Sequence, residues 1–200
     1  MNESFARALA TLDRGAHFFG AGLRDVQGAV TLATPLAISW PCRAKVIGNG
    51  LRELDRFLNL LIDEALYAQT QVAFPGQRNT ANKLRAFHNV HGLPDVHGPR
   101  LHALGRSREC LFHCEGRVRR GDKSGELFMT AGWPEVPGAR APLCRFPVGE
   151  NMIINPADLA DIGAFYRYLA GEIEALAAFP DARPHRSGTV ANGSYCKSAP

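Results

Sequence analysis

The chain has 200 residues, of which 46% are hydrophobic and 21% charged, as is typical of one globular domain. This composition excludes collagen-like, fibrous and wholly disordered proteins. The net charge of +4, from 23 basic and 19 acidic residues, is too small to identify a nucleic-acid-binding protein by itself.

Helical periodicity dominates the first half of the chain. A helix is predicted over residues 2–19, and the strongest apolar stripe predicts a long helix over residues 44–72. Charged residues, Asp55 among them, fall on the side of this long helix opposite its leucines. Pro75 and Gly76 follow it, and a shorter helix is expected over residues 80–88.

The second half combines two further helices with a long irregular segment. A helix is predicted over residues 100–117, and the five glycines and four prolines of residues 121–155 predict an irregular insertion. Within it, a short hairpin could form between residues 127–130 and 152–154. The last helix has a strong N-terminal signal, with Asn155 as N-cap and Pro156 at the first helical position.

These elements predict one all-α helical bundle over residues 1–180, with the long insertion between the last two core helices. Residues 181–200, which contain Pro184, Gly188 and Gly193, are expected to form a mobile tail.

Cysteine usage and hydropathy indicate the compartment. Five scattered cysteines do not form a disulfide framework, and charged residues interrupt the N-terminal segment where a signal peptide needs an apolar run. The longest uncharged run, residues 26–42, is too short and too polar to cross a bilayer. We therefore expect a cytoplasmic protein without membrane contact.

The basic charge is concentrated in one segment. Residues 100–120 contain six arginines and two acidic residues, while the rest of the chain has 17 basic and 17 acidic residues. On a helical wheel, one stripe of the predicted helix holds only ionisable groups, namely His102, Arg106, Glu109, His113 and Arg117.

This stripe predicts a site for phosphate chemistry. Glu109 precedes His113 by one turn and could orient its imidazole, while Arg106 and Arg117 could hold an anion beside it. A histidine that exchanges a proton near neutral pH, together with guanidinium groups, is sufficient to cleave RNA without metal. Arg108 lies among leucines, where a buried charge requires a partner.

The order of helices and their motifs resembles the HEPN superfamily of small α-helical bundles. The resemblance lies in residues 51–59, 82–85, 108–113 and 154–159, and it extends over about residues 44–179. That family's signature is an arginine and a histidine separated by four to six residues, and Arg108 and Arg106 both precede His113 at such a spacing. The chain departs from the family by having Glu109 where asparagine is usual.

The resemblance implies a toxin-type or defence-type endoribonuclease with RNA as substrate. Arg108, Glu109 and His113 would be its catalytic residues, and the RNA phosphates would be bound by Arg106, Arg117, Arg119, Arg120 and His102. It also implies a homodimer, which would bring together Arg108 and His113, about 140° apart on one helix. Its protein partner would be a cognate antitoxin or a nucleotidyltransferase.

Two other functions remain open. Many HEPN members are non-catalytic, so the chain could be a dimeric module that binds nucleic acid, a nucleotide or a partner protein. Alternatively, His88 and His91 together with Cys110 and His113 could form a zinc site in a small metal-binding protein. The favoured interpretation requires neither a metal nor a cofactor.

Overall fold

The computed structural model describes residues 3–21, 39–70, 79–136 and 141–178. Within these ranges the order of elements is α1 (Glu3–Ala21), α2 (Trp40–Thr70), α3 (Thr80–Val90), α4 (Gly98–His113), β1 (Phe128–Pro134), β2 (Leu143–Pro147) and α5 (Pro156–Ala178). The described residues are mostly helical, which is compatible with the predicted all-α fold, but they also contain a small two-stranded antiparallel sheet. The predicted tail, residues 181–200, lies outside the described ranges.

Helix α2 lies at the centre of the packing. Its leucine stripe, which includes Leu51, Leu54 and Leu58, is almost fully buried. It contacts α1, α3, α4 and α5, and α1 in turn packs along α5. Because four helices pack against α2, a larger part of its surface is buried than in a surface helix, which buries only one apolar stripe.

Helix α5 begins as predicted, with Asn155 as its N-cap. The Asn155 side chain accepts hydrogen bonds from the backbone N–H groups of Ala157 at 2.9 Å and Asp158 at 3.0 Å. The Asp158 carboxylate accepts the backbone N–H of Asn155 at 2.8 Å. These reciprocal bonds satisfy N–H groups that a helix leaves unpaired at its first turn.

Helix α4 ends at His113, four residues before the predicted end at Arg117. Glu115 and Gly116 adopt left-handed backbone conformations, with φ of 55° and 83°. The Gly116 N–H then donates to the carbonyl of Cys110 at 3.1 Å. The chain therefore turns back here instead of continuing along the helix axis.

The insertion is more regular than predicted. Strands β1 and β2 pair antiparallel, with Phe128 opposite Pro147 and Thr130 opposite Arg145. The predicted second strand at residues 152–154 was wrong. Met152 and Ile154 are buried in the core while Ile153 is exposed, and this alternation resembles that of a strand although the residues pair with none that the structure describes.

No helix in the described part of the chain is long and apolar enough to span a bilayer. The four cysteines that the structure describes are free, namely Cys42, Cys110, Cys114 and Cys144.

Candidate functional site

Most of the predicted site residues lie on the exposed side of α4 or on the turn that follows it, whereas Arg108 lies in the leucine row. Leu101, Leu104 and Leu111 bury the opposite side of the helix, which packs on α2 and β1. Because the chain reverses after His113, Arg120 returns alongside the helix, and its Nη2 atom lies 2.9 Å from the Oε2 atom of Glu109.

A cavity of about 210 Å³ opens at this end of α4. It brings together five of the eight predicted site residues, namely Arg106, Glu109, His113, Arg119 and Arg120. Its remaining lining residues are Cys110, Cys114, Gly121 and Met129. We call this space the arginine cavity.

The other three predicted residues lie elsewhere. His102 and Arg108 line a neighbouring groove of about 310 Å³, which also contains Asp55. Arg117 does not line the arginine cavity, and its Nε donates to the carbonyl of Gly149 at 3.2 Å. Arg106 and Glu109 line both spaces and therefore connect them.

Arg108 has the partner that its apolar surroundings require. Its Nη1 donates to Asp55 Oδ2 at 2.9 Å, and the hydroxyl of buried Tyr166 donates to Asp55 Oδ1 at 2.6 Å. Burial raises the pKa of Asp55, although the Tyr166 hydrogen bond and the Arg108 charge act in the opposite direction. These three side chains connect α4 to α2 and α5.

Neither Asp55 as the partner of Arg108 nor Tyr166 as the second partner of Asp55 was predicted. The expectation that Asp55 lies on the polar side of α2 was wrong, since only 8% of it is exposed. The available signal was the position of Arg108 among leucines, which indicated that an acid must approach it but not which acid.

Arg106 is held by a carboxylate on the segment before β1. Its Nε lies 2.9 Å from Asp122 Oδ1, as an ion pair whose N–H is not directed at the oxygen. The backbone N–H and hydroxyl of Thr130 both donate to Asp122. Partial burial raises the pKa of Asp122, but these hydrogen bonds and the Arg106 charge outweigh it and lower the pKa overall.

Glu109 and His113 share the arginine cavity but are not joined by any described hydrogen bond. Glu109 pairs with Arg120, whereas His113 is exposed and stands edge-on to the Phe112 ring at 4.9 Å between centroids. Arg119 is exposed and has no carboxylate partner among the residues that the structure describes. His113 and Arg119 are therefore the groups most open to a ligand.

The two residue pairs of the alternative zinc site, His88 with His91 and Cys110 with His113, lie in different surroundings. His88 is buried beside His97 and Glu172, with 3.6 Å between His88 Nε2 and Glu172 Oε1. Cys110 lines the arginine cavity, and its burial raises its thiol pKa to about 12. In residues 3–21, 39–70, 79–136 and 141–178, no three His, Cys, Asp or Glu side chains are grouped to hold a metal.

Comparison with known proteins gives no relative, since no family model, curated protein or solved structure matches this chain.

Proposed function

We propose that the arginine cavity binds the phosphodiester backbone of RNA. The observation that carries the proposal is the convergence of Arg106, Arg119 and Arg120 on one cavity beside His113. The planar guanidinium group can bind a phosphate through two parallel hydrogen bonds. Arg119 is free to do so at once, and Arg120 can exchange its exposed partner Glu109 for a phosphate.

We further propose that the protein is a HEPN-like, metal-independent endoribonuclease of the toxin or defence type. His113 would remove the proton of a 2′-hydroxyl or protonate the 5′-oxygen that leaves. The 2′-oxygen forms a bond to phosphorus as the bond to the 5′-oxygen breaks, which gives a 2′,3′-cyclic phosphate and a 5′-hydroxyl. Arg119 would stabilise the charge that develops on the phosphoryl oxygens.

A homodimer and a cytoplasmic location belong to the same proposal. Arg108 and His113 line different spaces within one chain, and in the proposed dimer Arg108 of one protomer would face His113 of the other. Sedimentation analysis would test for the dimer. Free cysteines favour the reducing cytoplasm, where a cognate antitoxin or nucleotidyltransferase would be the protein partner.

The test is incubation of single-stranded RNA with the protein in EDTA. Cleavage with cyclic phosphate ends is expected, and His113→Ala should abolish it, while His17→Ala, on the exposed side of α1, should leave it unchanged. Arg119→Ala should weaken RNA binding and lower the slope of log affinity against log salt by about one. Exposed Arg85→Ala is the matched control.

The outcomes separate two functions. Salt-dependent binding of RNA that remains intact would refute the ribonuclease and favour the non-catalytic binding module. That alternative is supported by the carboxylates that already pair with Arg106 and Arg120. Absence of RNA binding at low salt would refute both the ribonuclease and an RNA-binding module, and would favour a module that binds a nucleotide or a partner protein.

A further inference from the structure

The β-hairpin exposes an apolar edge that the core does not use. Met129 and Trp133 of β1 are buried, whereas Phe128 is 39% exposed and the preceding Leu127 is 72% exposed. Val148, which follows β2, is 40% exposed, and its N–H donates to the Leu127 carbonyl at 2.8 Å. The exposed edge is therefore part of an ordered, hydrogen-bonded unit.

Phe128 is held in place by a cation. The guanidinium carbon of Arg145, on the paired strand, lies over the Phe128 ring at 5.0 Å from its centroid. Such a contact restrains an aromatic ring through its negative face. Phe128 is nevertheless still 39% exposed, so the hairpin presents part of an aromatic ring beside a positive charge.

Val148 joins this exposed edge to a groove that leads to the arginine cavity. The groove has a volume of about 700 Å³ and is lined by Arg106, Arg119 and Arg120 of the arginine cavity, by residues 121–126, and by Val148. Asp122, at the base of this groove, contacts both Arg106 on α4 and Thr130 on β1. The position of the hairpin relative to α4 is therefore fixed by side-chain contacts as well as by the core.

We propose that Phe128, supported by Arg145, stacks against a base of single-stranded RNA whose backbone lies in the arginine-lined groove. The inference rests on the proposed function and names its substrate class. Positive groups near an exposed aromatic ring match a strand with phosphates on one side and bases on the other. A duplex does not fit, because its bases are already stacked and paired.

The experiment measures binding of a labelled, single-stranded 2′-O-methyl oligoribonucleotide of about 12 nucleotides by fluorescence anisotropy. The 2′-O-methyl groups remove the attacking hydroxyl, so cleavage does not interfere. Phe128→Ala should weaken binding about 5- to 100-fold, whereas Phe128→Trp should retain it. Val96→Ala, at an exposed apolar residue outside the hairpin and the groove, should change binding by no more than about twofold.

Two further readouts distinguish stacking from charge. Phe128→Ala should leave the salt slope unchanged, in contrast to Arg119→Ala. A duplex of the same sequence should bind more weakly than the single strand. Circular dichroism spectra that match the unmutated protein would show that the variants are folded.

The proposal is overturned if Phe128→Ala binds like the unmutated protein, or if the duplex binds as tightly as the single strand. If Arg119→Ala weakens binding while Phe128→Ala does not, only the stacking proposal fails. If the unmutated protein binds no RNA at low salt, the proposed function fails and the stacking proposal fails with it.

Discussion

Replacing Arg108 with methionine tests whether this arginine stabilises the fold. Methionine keeps an unbranched apolar side chain in the leucine row but cannot form the 2.9 Å contact with Asp55 Oδ2. Asp55, 8% exposed, would then have the Tyr166 hydroxyl as its remaining described side-chain partner. The variant therefore leaves a buried carboxylate without its positive charge.

The expected cost follows from burial. Removing one partner of a buried ion pair costs about 3–5 kcal/mol. The Arg108 side chain is 31% exposed, so water offsets part of the loss, and we expect about 2–3 kcal/mol. For a chain of this length, that corresponds to a fall in Tm of about 4–12 °C.

The cost should also depend on pH. Without the Arg108 charge, which lowers it, the already raised pKa of Asp55 in the folded state rises further. A carboxyl whose pKa is raised by folding contributes stability below its unfolded pKa, and this contribution is lost as pH rises through the folded pKa. The penalty for Arg108→Met should therefore be largest at neutral pH and smaller near about pH 4.

Urea denaturation followed by circular dichroism measures the change in free energy of unfolding. In the double variant with Asp55→Asn, the neutral amide can still accept the Tyr166 hydrogen bond, so part of the stability should return. A single variant within about 0.5 kcal/mol of the unmutated protein would refute the reasoning. Loss of RNA binding without loss of stability would place Arg108 in the binding site instead.

Two further predictions concern packing and pH. A Cβ atom at Gly163 would lie 2.7 Å from the backbone oxygen of Ala16, so Gly163→Ala should destabilise the α1–α5 contact by about 1–3 kcal/mol. On the same helix, a Cβ atom at Gly171 would face open space, so Gly171→Ala should stabilise the protein by about 0.5–1 kcal/mol. Urea midpoints that shift in the same direction for the two variants would contradict these predictions. Burial lowers the pKa of His88 and outweighs the opposing charge of Glu172. The neutral His88 side chain therefore contributes stability above about pH 6.5, and this contribution is lost as pH falls through the pKa of the folded state. Unfolding free energies measured from about pH 8 to pH 5 should show this fall, and His88→Gln should flatten it; equal slopes would argue against the assignment.

Local sequence signals were sufficient for most of the helices. The leucine stripe of α2 and the Asn155 cap of α5 depend on residues within a few turns of each other, so a single sequence records them. The early end of α4 was not predictable in the same way, because non-glycine residues such as Glu115 rarely adopt a left-handed conformation. Strand β2 was missed because residues 143–147 lack a clear alternation in burial.

The site was predictable only along one helix. Arg106, Glu109 and His113 share a stripe whose spacing places them together, and they do line one cavity. The Arg108–Asp55 contact joins positions 53 residues apart, and the Tyr166–Asp55 hydrogen bond joins positions 111 residues apart. Contacts at such separations depend on how the helices pack, which helical periodicity does not encode.

The carboxylates around α4 determine which arginines can bind a phosphate. The Arg120–Glu109 pair is exposed, and pairs of this kind are worth about 0.2–1 kcal/mol, so a phosphate can displace Glu109 at little cost. Asp122 is fixed by two hydrogen bonds from Thr130, which makes its contact with Arg106 harder to replace. Asp55 is buried and also bonded to Tyr166, so Arg108 cannot be released without disturbing the core. Arg119 and Arg120 should therefore contribute most to RNA affinity, Arg106 less, and Arg108 least, because it stays paired with Asp55.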